Sequence, residues 1–241
     1  MANTVQGGKL AGSHEGKPGL PRGRSRLPAP AVLASQRARL LRAAIAAVAS
    51  SGYATVTIAD IVRQARVSRA AFYAHFSGKE DCFLAATRQG GQLLVGRVLT
   101  AARAVPPHAP DEDVLRAGCR AFLRFLTDEP AFARVFYIDM PAAGPDAVER
   151  LHAANEQFAQ INRAWHDRAR DHHPEWPAVP ADACLALAGA TVELVRGMVS
   201  AGRTSSLPEL EDTLVSLHLA VLAGRPWDAE AATSRRRTGA C

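Results

Sequence analysis

The chain has 241 residues, 48% apolar and 22% charged, which is the composition of an ordinary soluble globular protein with enough apolar matter for a sizeable core. No apolar run approaches the roughly 18 residues that cross a bilayer, and the N-terminus lacks the apolar stretch of a secretory signal, so a cytoplasmic protein with no membrane partner is expected. The net charge of +6 is unevenly placed: residues 1–88 hold 13 Lys/Arg against 4 Asp/Glu, and the remainder holds 16 against 19. A basic first third on a mildly acidic remainder implies that one end meets a polyanion, or else carries a solvated basic tail.

Four scattered cysteines (Cys82, Cys119, Cys184 and Cys241) form no CxxC pair. That spacing favours buried reduced thiols over a disulfide framework or a zinc site.

Residues 1–34 are rich in Gly, Pro and Ser and have no apolar period, so a disordered basic arm is expected there. Its alternating Arg22, Arg24 and Arg26 either belong to a plain tail or reach phosphates and a minor groove. Ser35 is expected to cap a helix whose Leu40, Leu41, Ala44, Ile45 and Val48 form one apolar stripe, with Gly52 ending it in a left-handed conformation. Thr57 and Asp60 then make a variant capping box for a short second helix with Ile58, Ile61 and Val62 on its apolar side. Ser68 caps a third segment running from Arg69 to Phe76. After Ser77-Gly78, Lys79-Glu80-Asp81 opens a longer helix with acidic groups in its first turn, where the helix dipole favours them.

Beyond this point the periodicity predicts helices at about 111–128, 130–139, 145–172, 181–201 and 208–223, separated by Pro and Gly clusters. No segment alternates with period two. The expected fold is therefore all-α, with about nine helices. A three-helix reading domain at 35–80 is followed by a larger helical domain at 81–224 and a flexible basic tail at 225–241.

Two short helices joined by a tight turn and braced by a preceding helix make a helix–turn–helix, whose second helix lies in a major groove. The faces of that second helix separate cleanly. Val67, Phe72 and Phe76 share one side, while Arg69, Ala70, Tyr73 and partly Ala71 point outward, a surface suited to close approach to DNA. Arg69 suits guanine O6 and N7, and an alanine methyl suits a thymine methyl.

The segment RARLLRAAIAAVASSGYATVTIADIVRQARVSRAAFYAHFSGKEDCFLAA resembles the N-terminal domain of TetR/AcrR-type regulators. The features that carry the resemblance are Gly52-Tyr53, Thr57, Asp60-Ile61, Val67-Ser68, Phe72-Tyr73, His75-Phe76 and Lys79-Glu80. By position, the resemblance implies that Thr57, Tyr73, His75 and Lys79 meet the phosphate backbone and that Arg69, Ala70 and Ala71 face the bases. Arg66 departs from the family, which usually has Gly in this turn; a non-Gly residue carries a cost there if the position is left-handed, while a basic side chain adds a potential phosphate contact.

The resemblance further implies a dimeric, ligand-responsive repressor of a palindromic operator, with double-stranded operator DNA and an unidentified small-molecule effector as partners and no cofactor. Leu187, Val192, Val195, Leu214, Leu217 and Val221, on the last two long helices, are the candidates for pairing with a second subunit; intrachain core is the alternative. Phe122, Phe125, Phe132, Phe136, Tyr137, Met140, Phe158 and Trp165 are candidates for lining an effector pocket, again with core as the alternative. Glu193 either orients a ligand or serves a surface or interface role.

Two other readings compete. His166, Asp171, His172 and His173 suggest a metal site for an enzyme or a metal sensor, but their spacing diverges around a helix that runs into Pro174, and no catalytic motif accompanies them, so no catalytic or metal residue is expected. An architectural DNA binder would tolerate changes at the base-facing positions, whereas a specific regulator would not.

Overall fold

The computed structural model describes residues 8–13 and 28–226. Among these residues are nine α-helices and no strand: α1 (Ala29–Ser51), α2 (Ile58–Ala65), α3 (Arg69–Tyr73), α4 (Lys79–Arg103), α5 (Asp111–Asp128), α6 (Pro130–Arg134), α7 (Pro145–Arg170), α8 (Ala181–Ser200) and α9 (Glu211–Leu222). A π-helical turn (Val135–Asp139) and a 3₁₀ turn (Met140–Ala143) follow α6, and a 3₁₀ segment (Thr204–Leu210) precedes α9. The all-α expectation is met, and most helices lie within a few residues of the periods that announced them.

The chain forms two compact units. One comprises residues up to Leu93 together with Asp128–Val148; the other comprises Leu94–Thr127 together with the residues from Glu149 onward. The division departs from the expected boundary near residue 80, because the apolar run after Pro130 packs on α1. Ala131, Phe132, Ala133, Val135, Tyr137 and Met140 are all buried there.

In the first unit the apolar stripe of α1 is core: Leu40, Leu41, Ala44, Ile45 and Val48 are buried. α1, α2 and α3 pack against one another. α1 begins six residues before Ser35, which therefore is not its cap. Pro30 occupies the first turn, where a missing N–H costs nothing, and the Pro28 carbonyl accepts from the Ala31 and Val32 N–H groups. At the other end Gly52 takes φ 78° and ψ 150°, a backbone conformation essentially reserved for glycine.

The arm expected at 1–34 is also corrected at residues 8–13, which lie against the first unit. The Lys9 and Leu10 N–H groups donate to the two carboxylate oxygens of Glu129 at 2.8 Å each, the Gly12 N–H donates to the Arg42 carbonyl at 3.2 Å, and Ala11 is buried. Low apolar content predicts disorder only when no buried acceptor waits for the chain, and the buried Glu129 supplies one. Arg22, Arg24 and Arg26 lie outside the described residues, as does Cys241.

The second unit is built on α5, α7, α8 and α9. Trp165, Trp176, Leu187, Val215, Leu219 and Leu222 belong to its core. Arg116 reaches Glu211 and Asp212, and Arg120 binds both Glu211 oxygens at 2.9 and 2.6 Å, tying α5 to the first turn of α9. Of the expected tail from 225, Arg225 is held by Glu112 at 2.8 Å and lies 5.9 Å from the Trp176 ring; residues beyond 226 lie outside the description.

By length and composition α8 is long and apolar enough to cross a membrane, contrary to the reading of the sequence, although Asp182, Glu193 and Arg196 interrupt it. One of its faces (Cys184, Leu187, Ala188, Val195 and Val199) is buried inside the second unit.

Candidate nucleic-acid interface

The helix–turn–helix formed by α2 and α3 is assembled from local hydrogen bonds. The Thr57 hydroxyl accepts from the Asp60 N–H at 3.3 Å and donates to Asp60 Oδ2 at 2.7 Å, while the Thr57 N–H donates to the same oxygen at 3.0 Å. These bonds from Thr57, with a smaller contribution from Arg63, hold the Asp60 carboxyl below its usual range.

α2 ends in a Schellman motif. The Arg66 N–H bonds to the Arg63 carbonyl at 3.1 Å, and the Val67 N–H bonds to the Val62 carbonyl at 3.2 Å. Closing it places Arg66 at φ 52° and ψ 49°, the left-handed conformation the sequence raised at this position. It is the one non-glycine residue with positive φ among those described, at a cost of about 1–2 kcal/mol.

Ser68 then caps α3, its hydroxyl accepting from the Ala71 N–H at 3.0 Å. The two faces of α3 divide as its sequence requires. Phe72 and Phe76 are buried, their ring centroids 5.7 Å apart, and each such ring removed from water contributes about 2–3 kcal/mol. Arg69, Ala70 and Tyr73 are exposed, and Ala71 partly so. Tyr73 is 52% exposed and rests edge-on against Phe72 with centroids 5.5 Å apart. A rigid inner pair therefore presents an arginine, two small methyls and a phenol outward. Guanidinium, methyl and phenol groups of this kind are the chemistry that meets base edges and phosphates in a groove.

The four expected phosphate anchors have unequal surroundings. Tyr73 is open to solvent. The Thr57 hydroxyl is already engaged in its cap. His75 is half-buried, and its Nε2 is shut off from water with no hydrogen-bond partner among the described residues. Lys79 is also half-buried. Its Nζ donates to the Tyr53 carbonyl at 2.9 Å and sits 4.2 Å from the Tyr53 ring centroid, while that ring packs on Phe83.

The bond from Lys79 fastens the loop after α1 to the first residue of α4. Nothing in the local sequence announces it, because 26 residues separate the partners. A second contact missed in the sequence is the guanidinium of Arg37, 5.5 Å from the Phe76 ring. In α2, Arg63 pairs with Asp60 at 3.0 Å.

The residues expected to line an effector pocket are divided between the two units. Phe122, Phe125, Phe158 and Trp165 belong to the second unit, where Phe122 and Phe158 meet edge-on at 5.5 Å. The Trp165 Nε1–H donates to the Asp111 carbonyl at 3.0 Å. Phe132, Phe136, Tyr137 and Met140 belong to the first unit, where Phe136 packs on Phe132 at 5.4 Å and on Tyr137 at 5.3 Å. Burial pushes the Tyr137 hydroxyl upward, so it stays protonated at neutral pH.

Three expected dimer contacts are corrected: Leu187, Val195 and Leu214 are buried within their own subunit. Val192, Leu217 and Val221 remain partly exposed, and the large exposed apolar residues of α8 are Leu185 and Leu194. Glu193 is exposed and forms a bidentate pair with Arg196 at 2.8 and 2.6 Å. Of the histidines weighed for a metal, His166 is buried beside Trp176, His173 stacks on Trp176 at 4.6 Å, and His172 Nδ1 lies 3.0 Å from Asp111 Oδ2.

Residues 40–86 match the family described as bacterial regulatory proteins, tetR family. No curated protein matches the sequence. Among solved structures, the fold is similar to the fatty acid degradation regulator FadR from Bacillus halodurans (15% identity, TM-score 0.69, covering 80% of this chain and 97% of that one). It is also similar to the transcriptional regulator FadR from Bacillus subtilis in complex with stearoyl-CoA (15% identity, TM-score 0.66, 78% and 98%). A TetR-like transcriptional regulator from Rhodococcus sp. RHA1 aligns at 22% identity with a TM-score of 0.60 over 83% of this chain and 100% of that one. Residues 40–86 thus carry the N-terminal DNA-binding domain of the tetR family, and the described chain has the fold of TetR-family transcriptional regulators.

Proposed function

We propose that the protein is a sequence-specific cytoplasmic repressor that binds a palindromic operator as a homodimer and leaves it when a small molecule binds. The observation that carries this reading is the outward face of α3, where Arg69, Ala70, Ala71 and Tyr73 stand on a buried Phe72–Phe76 base. Arg69 and the two alanines read base edges, and Tyr73 meets phosphate. Phosphate contacts by Thr57 and Lys79 require each to share or release its internal partner, and one by His75 requires its ring to turn outward.

The helices from α4 onward form the effector-binding and dimerisation part in this reading. Leu185, Val192 and Leu194 of α8, with Leu217 and Val221 of α9, supply the apolar surface for a second copy. Dimerisation sets two recognition helices one helical turn of DNA apart, the spacing a palindrome demands. Phe122, Phe125, Phe158 and Trp165, all in the second unit, are the candidate effector contacts. An apolar effector shifts the dimer toward a spacing that no longer fits both half-sites.

Footprinting on the DNA flanking the gene, followed by titration of the protected duplex and a scrambled one, tests this. The reading expects preference for the protected duplex on the order of 10³-fold, and Arg69→Ala should shrink that preference. Equal affinity for both duplexes would sink it. Stearoyl-CoA, the ligand named for one similar structure, is the first effector probe, and release of the duplex would identify the effector class.

A further inference from the structure

We propose that Arg66 is itself a DNA contact, its guanidinium taking a backbone phosphate beside the start of α3; this rests on the reading of α2 and α3 as the DNA-binding element. The motif that closes α2 demands a left-handed residue at position 66, and glycine adopts that conformation without penalty. Arginine does not, and it is the one non-glycine residue with positive φ among those described. Strain of this kind persists where the side chain has work to do.

No such role is found inside the subunit. Arg66 is exposed and its side chain makes no hydrogen bond or ion pair with the described residues, whereas Arg63, one turn earlier, is paired with Asp60. Its side chain adds nothing to helix capping, since the backbone N–H groups of Arg66 and Val67 close the turn. Its place is informative: two residues before the Ser68 cap and three before Arg69, the exposed arginine that begins α3. Arg66 lies outside the helix whose side chains face the bases. Its reach is therefore to the phosphodiester backbone flanking the groove, a partner that a planar guanidinium binds bidentately.

Replacing Arg66 should move stability and affinity in opposite directions, which a merely structural residue cannot do. The test compares the wild-type chain with Arg66→Gly, Arg66→Asn and Arg66→Lys, measuring the melting temperature and the affinity for operator and scrambled duplexes between about 50 and 200 mM salt. Arg66→Gly is expected to melt a few degrees higher while binding both duplexes roughly five-fold more weakly per protomer, with the slope of log K against log salt reduced by about 0.9 per protomer. Arg66→Asn, which tolerates the left-handed conformation, should show the same loss of slope, and Arg66→Lys should retain the wild-type slope. Unchanged affinity and slope in Arg66→Gly would overturn the proposal, as would a lower melting temperature. Should the wild-type protein itself fail to prefer its operator, the regulator reading fails, and the salt slopes on the scrambled duplex still judge Arg66.

Discussion

Gly90 and Gly91 are neighbours in α4, yet the same substitution should act on them with opposite signs. Alanine in place of glycine inside a helix normally stabilises by about 1 kcal/mol, and both positions would receive that gain. At Gly91 a Cβ meets nothing within 4 Å, so the gain stands. At Gly90 the new Cβ would fall 2.1 Å from Phe132 Cε2 and 2.5 Å from Cδ2. The Phe132 ring is fully buried and packed on Phe136 at 5.4 Å, so it has little room to retreat.

Overpacking of this kind costs about 3 kcal/mol at the upper end of its usual range, which outweighs the helix gain and leaves a net loss of about 2 kcal/mol. Thermal melts should therefore place Gly91→Ala a few degrees above the wild type and Gly90→Ala roughly 4–8 °C below it. Phe132→Leu, by removing the ring, should make the Gly90→Ala change less harmful in a double-mutant cycle. Equal melting of the two alanine variants would refute the close approach of Phe132 to α4. It would also weaken the assignment of the segment after Pro130 to the first unit.

His218 gives the second unit a predictable weakness in acid. Its Nδ1–H donates to the Leu214 carbonyl at 2.7 Å, and burial pushes its pKa from 6.5 to about 4. The unfolded chain takes up a proton below about pH 6.5 while the folded chain resists to about 4, so stability falls as pH drops through that window, by on the order of 3 kcal/mol in all. His218→Gln should flatten that part of the pH dependence of urea unfolding followed by tryptophan fluorescence; a variant that keeps the wild-type pH slope would exclude His218 as the cause. Lys79→Met keeps the stem but removes both the bond to the Tyr53 carbonyl and the charge on its ring. It should lower stability by about 1–2 kcal/mol in denaturant titrations, and an unchanged midpoint would show that the lysine does not hold the loop.

What could be read in advance was whatever short-range physics decides. The cap at Thr57 spans three residues, the cap at Ser68 spans three, and the left-handed turn at Arg66 follows from where α2 must stop. The division of α3 into a buried and an exposed face needs only helical spacing around two phenylalanines. Those local rules placed the helix–turn–helix and the exposed face of α3.

The tertiary structure decided whatever depends on partners far apart in the chain. The loop bond from Lys79 to Tyr53 and the seating of Lys9 and Leu10 on Glu129, 119 and 120 residues away, leave no local trace. α8 is apolar around most of its circumference, so spacing alone could not separate Leu187 and Val195, which are core, from Leu185 and Leu194, which face outward. A helix reveals its buried side by the contrast between its faces. Where that contrast is missing, the neighbouring helices choose the side.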